Sequence, residues 1–205
     1  MRLLLVHGMG RTPLSMAGLA RYLRQQGHRA ERLGYVAALE TFGTIQERVR
    51  RRLESLAHSG DPYAVIGHSL GGVALRAALQ NVDPPPRCCI MLGTPNQSPR
   101  LARRLRRRWL YQLLCGESGQ LLARPDFFRP LPLPPVPYTI IAGNAGPRGP
   151  RSPFGDDPND WLVAVEETKV LPGDRPVVLA VGHTFMMNQK LVQRAVREML
   201  ERCAA

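Results

Sequence analysis

Short apolar runs alternate along this chain with longer segments in which apolar residues recur every three or four positions. The runs at 2–6, 63–66, 88–92, 138–142 and 177–181 read as strands, and 29–35 is a further candidate. Segments 14–26, 44–58, 71–80 and 189–202 carry helical spacing, and Gly27 supplies a C-terminal stop for the first. Strand and helix in alternation predict parallel strands joined by crossover helices, an α/β doubly wound sheet. A length of 205 residues suits a single domain over 1–205.

Two stretches break the alternation. Residues 96–137 are Arg-rich and then Pro-rich, and 144–158 are rich in Gly, Pro and Asp, so both read as loops or excursions. In open α/β sheets the ligand lies beyond the carboxyl ends of the strands. Connections of this length are therefore where substrate selection is expected, and 96–137 reads as a lid-like or substrate-selecting excursion.

The most informative run is Tyr63-Ala64-Val65-Ile66-Gly67-His68-Ser69-Leu70-Gly71-Gly72-Val73, in which an apolar strand passes through G-x-S-x-G into a helix. A serine hydroxyl is a weak nucleophile at neutral pH and needs a base within reach, which a sharp strand-to-helix turn allows. Gly67 and Gly71 leave room for that turn. The N-terminus of the following helix favours negative charge beside the serine.

Gly-His-Ser-Leu-Gly-Gly, with His7-Gly8-Met9-Gly10 closing the first strand, resembles the α/β-hydrolase superfamily, and more narrowly the small bacterial lipases and esterases without a separate cap. The resemblance covers nearly the whole chain in element order and is loose over 96–137. It implies a three-layer α/β-hydrolase fold, with a mostly parallel sheet of about six strands and helices on both faces. It further implies carboxylic ester hydrolysis through an acyl-enzyme on Ser69, with the backbone amides of Met9 and Leu70 as the oxyanion hole. Such enzymes run serine, acid, histidine along the chain, and His183 is the only histidine after Ser69. His68 belongs to the turn itself, and His28 and His58 fall near helix ends. For the acid, Asp156, Asp157, Asp160, Glu166 and Asp174 are candidates. Asp160 is favoured because Asn159-Asp160-Trp161-Leu162-Val163 resembles the acid loop of related lipases, although Trp161 stands where those have glycine; Asp157 is the runner-up. Gly93-Thr94-Pro95 also resembles a lipase turn, read here as structural. An acyltransferase or thioesterase on the same triad, or a non-catalytic relative that binds anionic surfaces, remains open as an alternative.

Charge and cysteine usage add to this picture. The net charge of +12 comes almost wholly from arginine, since Lys169 and Lys190 are the only lysines. That excess marks either an anionic partner or a preference for arginine spread over solvated faces. In 100–111, Leu101, Leu105 and Trp109 share one helical face among arginines. This is either a packed helix with a solvated basic face or an element in peripheral contact with anionic membrane. Nucleic acid is not the expected partner; a small-molecule or lipid ester is. Cys88, Cys89, Cys115 and Cys203 form no C-x-x-C pair, so neither a metal nor another cofactor is expected. Cys88 and Cys89 lie in an apolar run and read as buried free thiols, fitting a reducing compartment. The apolar run after Met1 is shorter than the roughly 7 to 15 residues of a signal-peptide core. No stretch approaches the roughly 20 apolar residues that span a bilayer. A cytoplasmic location is expected.

Overall fold

A computed structural model describes residues 1–204. Six strands, β1 (Arg2–Val6), β2 (Arg29–Leu33), β3 (Tyr63–His68), β4 (Cys89–Leu92), β5 (Tyr138–Gly143) and β6 (Val177–Leu179), form one all-parallel sheet in the order β2-β1-β3-β4-β5-β6. Seven α-helices accompany them among the described residues: α1 (Ala17–Gln25), α2 (Phe42–Ala57), α3 (Leu70–Ala78), α4 (Arg100–Leu105), α5 (Trp109–Leu122), α6 (Pro125–Phe128) and α7 (Lys190–Ala204).

Side chains alternate across a strand, so a sheet covered on both sides needs apolar residues at successive positions. In β1, Leu3 and Leu5 join the core under α1 and α7, while Leu4 and Val6 join the core under α2 and α3. That alternation builds the three layers. Helix α2 buries Ile45, Val49, Leu53 and Leu56 at helical spacing. It is capped by Thr41, whose hydroxyl accepts the Thr44 amide at 3.1 Å.

The register pairs Val6 of β1 with Gly67 of β3. The chain therefore leaves the sheet at His7 and at His68 side by side. From there the β1 connection leads to β2 and the β3 connection to β4 on the opposite side. This is the switch point where an open parallel sheet leaves a crevice.

The excursion at 96–137 is more regular than its composition suggested, since it contains α4, α5 and α6. The single helix expected over 100–111 is instead two. Arg108 is extended (φ −78°, ψ 123°) and separates α4 from α5. Five arginines at 103, 104, 106, 107 and 108 crowd this break, and the Arg106 carbonyl that the end of α4 leaves without a helical donor accepts from the Gln112 and Gln120 side chains at 3.1 and 3.2 Å. Trp109 consequently does not share a face with Leu101 and Leu105. Helix α5 also turns sharply at Gly116 (φ 55°), whose close approach to the Ala37 and Ala38 backbone leaves no room for a side chain.

Cys88 corrects a second expectation. It is joined to Cys203 by a disulfide, with the Cα atoms 6.2 Å apart, because α7 packs across the sheet and brings its last turn to the start of β4. Cys89 is buried and free. The argument for a reducing compartment from Cys88 therefore falls. No helix among the described residues is long and apolar enough to cross a membrane.

Candidate active site

Strand β3 runs straight into α3 through Ser69, whose backbone (φ 51°, ψ −122°) lies in a region that side chains disfavour. Neighbouring contacts hold it there. The Ser69 amide donates to the Leu92 carbonyl at 2.9 Å, and a side chain on Gly71 would collide with the carbonyls of Val6 and His7. The elbow is thus pressed against the end of β1. Leu70 is the first residue of α3, where a helix leaves its amide without an intrahelical acceptor.

His183 and Asp160 reach this point from the connections after β6 and β5. His183 Nδ1–H donates to Asp160 Oδ2 at 2.6 Å, and both residues are buried. The other ring nitrogen, Nε2, is left for a partner on the cleft side. Asp160 is held in turn: its Oδ1 accepts the amides of Leu162 at 3.0 Å and Val163 at 2.7 Å, and the His183 amide donates to the Asp160 carbonyl at 2.8 Å. A carboxylate with this many donors is fixed in orientation.

The other acid candidates are occupied elsewhere. Asp157 pairs with Arg100 at 2.7 Å and Glu166 with Lys169 at 2.7 Å; Asp174 accepts from Tyr138 Oη and from the Val170 and Leu171 amides, each at 2.9 Å; Asp156 is exposed. His58 caps its own helix through the Glu54 carbonyl at 2.7 Å.

Ser69, His183 and Met9 line one cleft of about 350 Å³ with Pro95, Leu101, Ala102, Leu105, Leu114, Leu122 and Leu162. Its walls are mostly hydrocarbon, drawn from α4 and α5 on one side and from the Asp160 loop on the other. No cluster of three or more His, Cys, Asp or Glu side chains placed to hold a metal occurs among the described residues.

The model of the alpha/beta hydrolase family matches residues 3–203. The chain belongs to that family. No curated protein matches this hydrolase-family chain by sequence. Among solved structures it is similar to the mature form of the Bacillus licheniformis lipase BlEst2 (TM-score 0.78, 19% identity, 97% of this chain and 91% of that one). It is also similar to a metagenomic carboxyl esterase (TM-score 0.76, 15% identity, 100% and 75%) and to a lipase-esterase related protein of Clostridium acetobutylicum (TM-score 0.63, 14% identity, 98% and 93%). At these identities the likeness is one of fold.

Several further residues of this α/β hydrolase brace the site; His7, His68 and Gly93-Thr94-Pro95 lie in motifs legible in the sequence, whereas Tyr35 and Glu167 do not. His7 is fully buried and stacked on Tyr35 with ring centroids 4.2 Å apart. Its Nδ1–H donates to the Gly8 carbonyl at 2.9 Å and its Nε2 accepts the Tyr35 amide at 3.4 Å, a single neutral tautomer; burial lowers its pKa accordingly. This fixes the turn that carries Met9. His68 Nε2–H donates to the His183 carbonyl at 3.0 Å, so the elbow holds the His183 loop directly. Burial, and then the neighbouring His183, push the His68 pKa well below the ordinary histidine value. Gly93 (φ 53°) packs against the Asp160–His183 pair, and Pro95 lines the cleft, so the Gly93-Thr94-Pro95 turn borders the candidate site. Buried Glu167 accepts the Arg100 amide at 2.8 Å and the Ala164 amide at 2.9 Å, bolting the start of α4 to the Asp160 loop. The Glu167–Arg100 and His7–Tyr35 contacts join residues far apart in the chain and leave no local pattern to find.

Proposed function

We propose that this protein hydrolyses carboxylic esters through an acyl-enzyme formed on Ser69. The observation that carries the reading is a buried, hydrogen-bonded Asp160–His183 pair whose His183 lines an apolar cleft together with a serine on a positive-φ elbow. His183 Nε2 takes the proton as Ser69 Oγ bonds to the ester carbonyl carbon, and the carbonyl electron pair moves onto its oxygen. The amides of Met9 and Leu70 receive that oxyanion; a donor in this role is worth about 3 to 4 kcal/mol. As the tetrahedral species collapses, the C–O bond to the alcohol breaks and His183 returns the proton to the leaving oxygen. Water then repeats the sequence on the acyl-serine, releasing the acid and restoring Ser69. Asp160 keeps the His183 proton on Nδ1 and stabilises the imidazolium. The hydrocarbon walls suit an acyl chain better than a polar substituent.

Labelling with a fluorophosphonate, together with hydrolysis of p-nitrophenyl esters of increasing chain length, tests the assignment. Wild type is expected to label and turn over, and Ser69→Ala to lose labelling and at least about 10⁴-fold in kcat while keeping its circular dichroism and melting transition. Full activity in Ser69→Ala, or no labelling of folded wild type, overturns it. Adding alcohol or amine acceptors to the same assay separates transfer to water from acyl transfer.

A further inference from the structure

Large apolar side chains are left in solvent on the elements that line the Ser69 cleft. Trp109, Leu110 and Leu113 of α5 are half exposed or more, as are Trp161 of the Asp160 loop and Phe185 of the His183 loop. Leu114 both lines the cleft and is 57% exposed, which joins wall to rim. Arg11, another wall residue, stacks on the Phe185 ring at 5.0 Å and brings the His183 rim to the β1 turn. These side chains come from connections after β4, β5 and β6. Only the assembled sheet gathers them.

The same rim is cationic. No acidic residue occurs between Asp83 and Glu117. Arg103, Arg104, Arg106, Arg107 and Arg108 are all exposed, and none pairs with a carboxylate among the described residues. The acids on the neighbouring connections are mostly engaged: Glu40 by Arg48, Asp157 by Arg100, and Glu117 by the Phe42 amide. Asp156 shares its loop with Arg148 and Arg151.

A soluble polyanion would meet the arginines but has no use for tryptophan and leucine pointing into water. A second copy docked face to face would set five arginines against the same five. An anionic bilayer meets both halves of the pattern, with acyl chains for the aromatic and aliphatic side chains and headgroup phosphates for the guanidinium groups. We propose that this face, built on α4 and α5, docks on an anionic phospholipid bilayer, so that the Ser69 cleft opens onto ester bonds of the bilayer's own lipids. The docking half does not depend on the ester-hydrolase reading; the substrate half rests on it.

Trp109 and Trp161 are the only tryptophans in the chain, so intrinsic fluorescence reports on this face alone. The Ser69→Ala protein, in about 0.15 M salt, is mixed with vesicles of phosphatidylcholine with or without phosphatidylglycerol. Expected are sedimentation with the anionic vesicles, a blue shift of tryptophan emission, and quenching by brominated acyl chains. Replacing Arg104, Arg106, Arg107 and Arg108 with Gln is expected to weaken partitioning at least about 100-fold, from roughly fivefold per arginine. Replacing Trp109, Leu110 and Leu113 with Ser is expected to weaken it at least about tenfold. Arg50→Gln with Arg51→Gln on α2 is expected to leave it unchanged. No adsorption, adsorption without a blue shift, or an equal loss in the α2 variant overturns the docking. For the substrate half, wild type is given anionic vesicles and, in parallel, p-nitrophenyl butyrate. Fatty acid release from the vesicles supports it. Butyrate hydrolysis without fatty acid release overturns the lipid substrate alone, whereas loss of both overturns the ester-hydrolase reading.

Discussion

His68 links the elbow to the His183 loop, and its burial has a consequence for stability. The unfolded imidazole takes up a proton near its ordinary value of 6.5, whereas the folded one, desolvated and facing His183, stays neutral to well below that. Between those two values the unfolded state binds more protons, so stability is fully present above about pH 6.5 and falls as pH drops. The limiting slope is about 1.4 kcal/mol per pH unit for each such histidine. Urea unfolding between pH 7.5 and pH 5 should show this decline (conditions span about two and a half units around the titration). His68→Gln, which keeps a donor for the His183 carbonyl, should show a shallower one. An unchanged slope in that variant would assign the acid sensitivity to other groups, such as His7, whose pKa burial also lowers.

At the scale of elements, the Asp160 loop shows how a sequence anomaly is accommodated. Trp161 stands where the resembling loops have glycine, and its φ of 86° lies in the left-handed region that glycine favours. The turn survives because neighbours over-determine it. Buried Asn159 accepts the Trp161 amide at 3.0 Å and donates to the carbonyls of Pro147 and Asp157 at 2.9 and 3.0 Å, while Asp160 Oδ1 ties down the next two amides. A side chain in this conformation costs about 1 to 2 kcal/mol, partly offset in a glycine variant by about 0.5 to 1 kcal/mol of added chain entropy. Trp161→Gly should therefore raise the melting temperature by about 1 to 4 °C, measured by calorimetry. A fall of several degrees would mean that the indole contributes packing, for which Gly182 is the neighbouring position. The mostly exposed indole has a clearer use on the proposed membrane-docking rim than in the fold.

Across the whole molecule, the Cys88–Cys203 bridge ties the C-terminal helix to the middle of the sheet over a separation of 115 residues. Removing a link that closes so long a loop costs about 2 to 4 kcal/mol. Cys203→Ser should lower the melting temperature of the oxidised protein by roughly 5 to 15 °C, and a phosphine reductant should bring wild type down to the same value. Thiol titration of the unfolded, unreduced chain should count the two cysteines Cys89 and Cys115; four reactive thiols would show that the bridge does not form. Much of the architecture was legible in the chain itself. Strand β1 and the cores of α1, α2, α3 and α7 follow from the local period of apolar residues, because strand, turn and helix signals are short-range, and the proposal of Ser69 with His183, which line one cleft, comes from motif and chain order. The break between α4 and α5, the Cys88–Cys203 pairing, the braces of His7, His68 and Glu167, and the merging of five connections into one apolar, arginine-rimmed mouth were not. Each depends on groups that lie far apart in sequence and meet only when the parallel register sets the carboxyl ends of the strands side by side. By itself the sequence determined which segments become strands and helices and where a serine can be strained into the open. Packing of the three layers decided which acid reaches His183 and what surrounds them, because hydrogen bonds and burial between remote segments exist only in the folded chain.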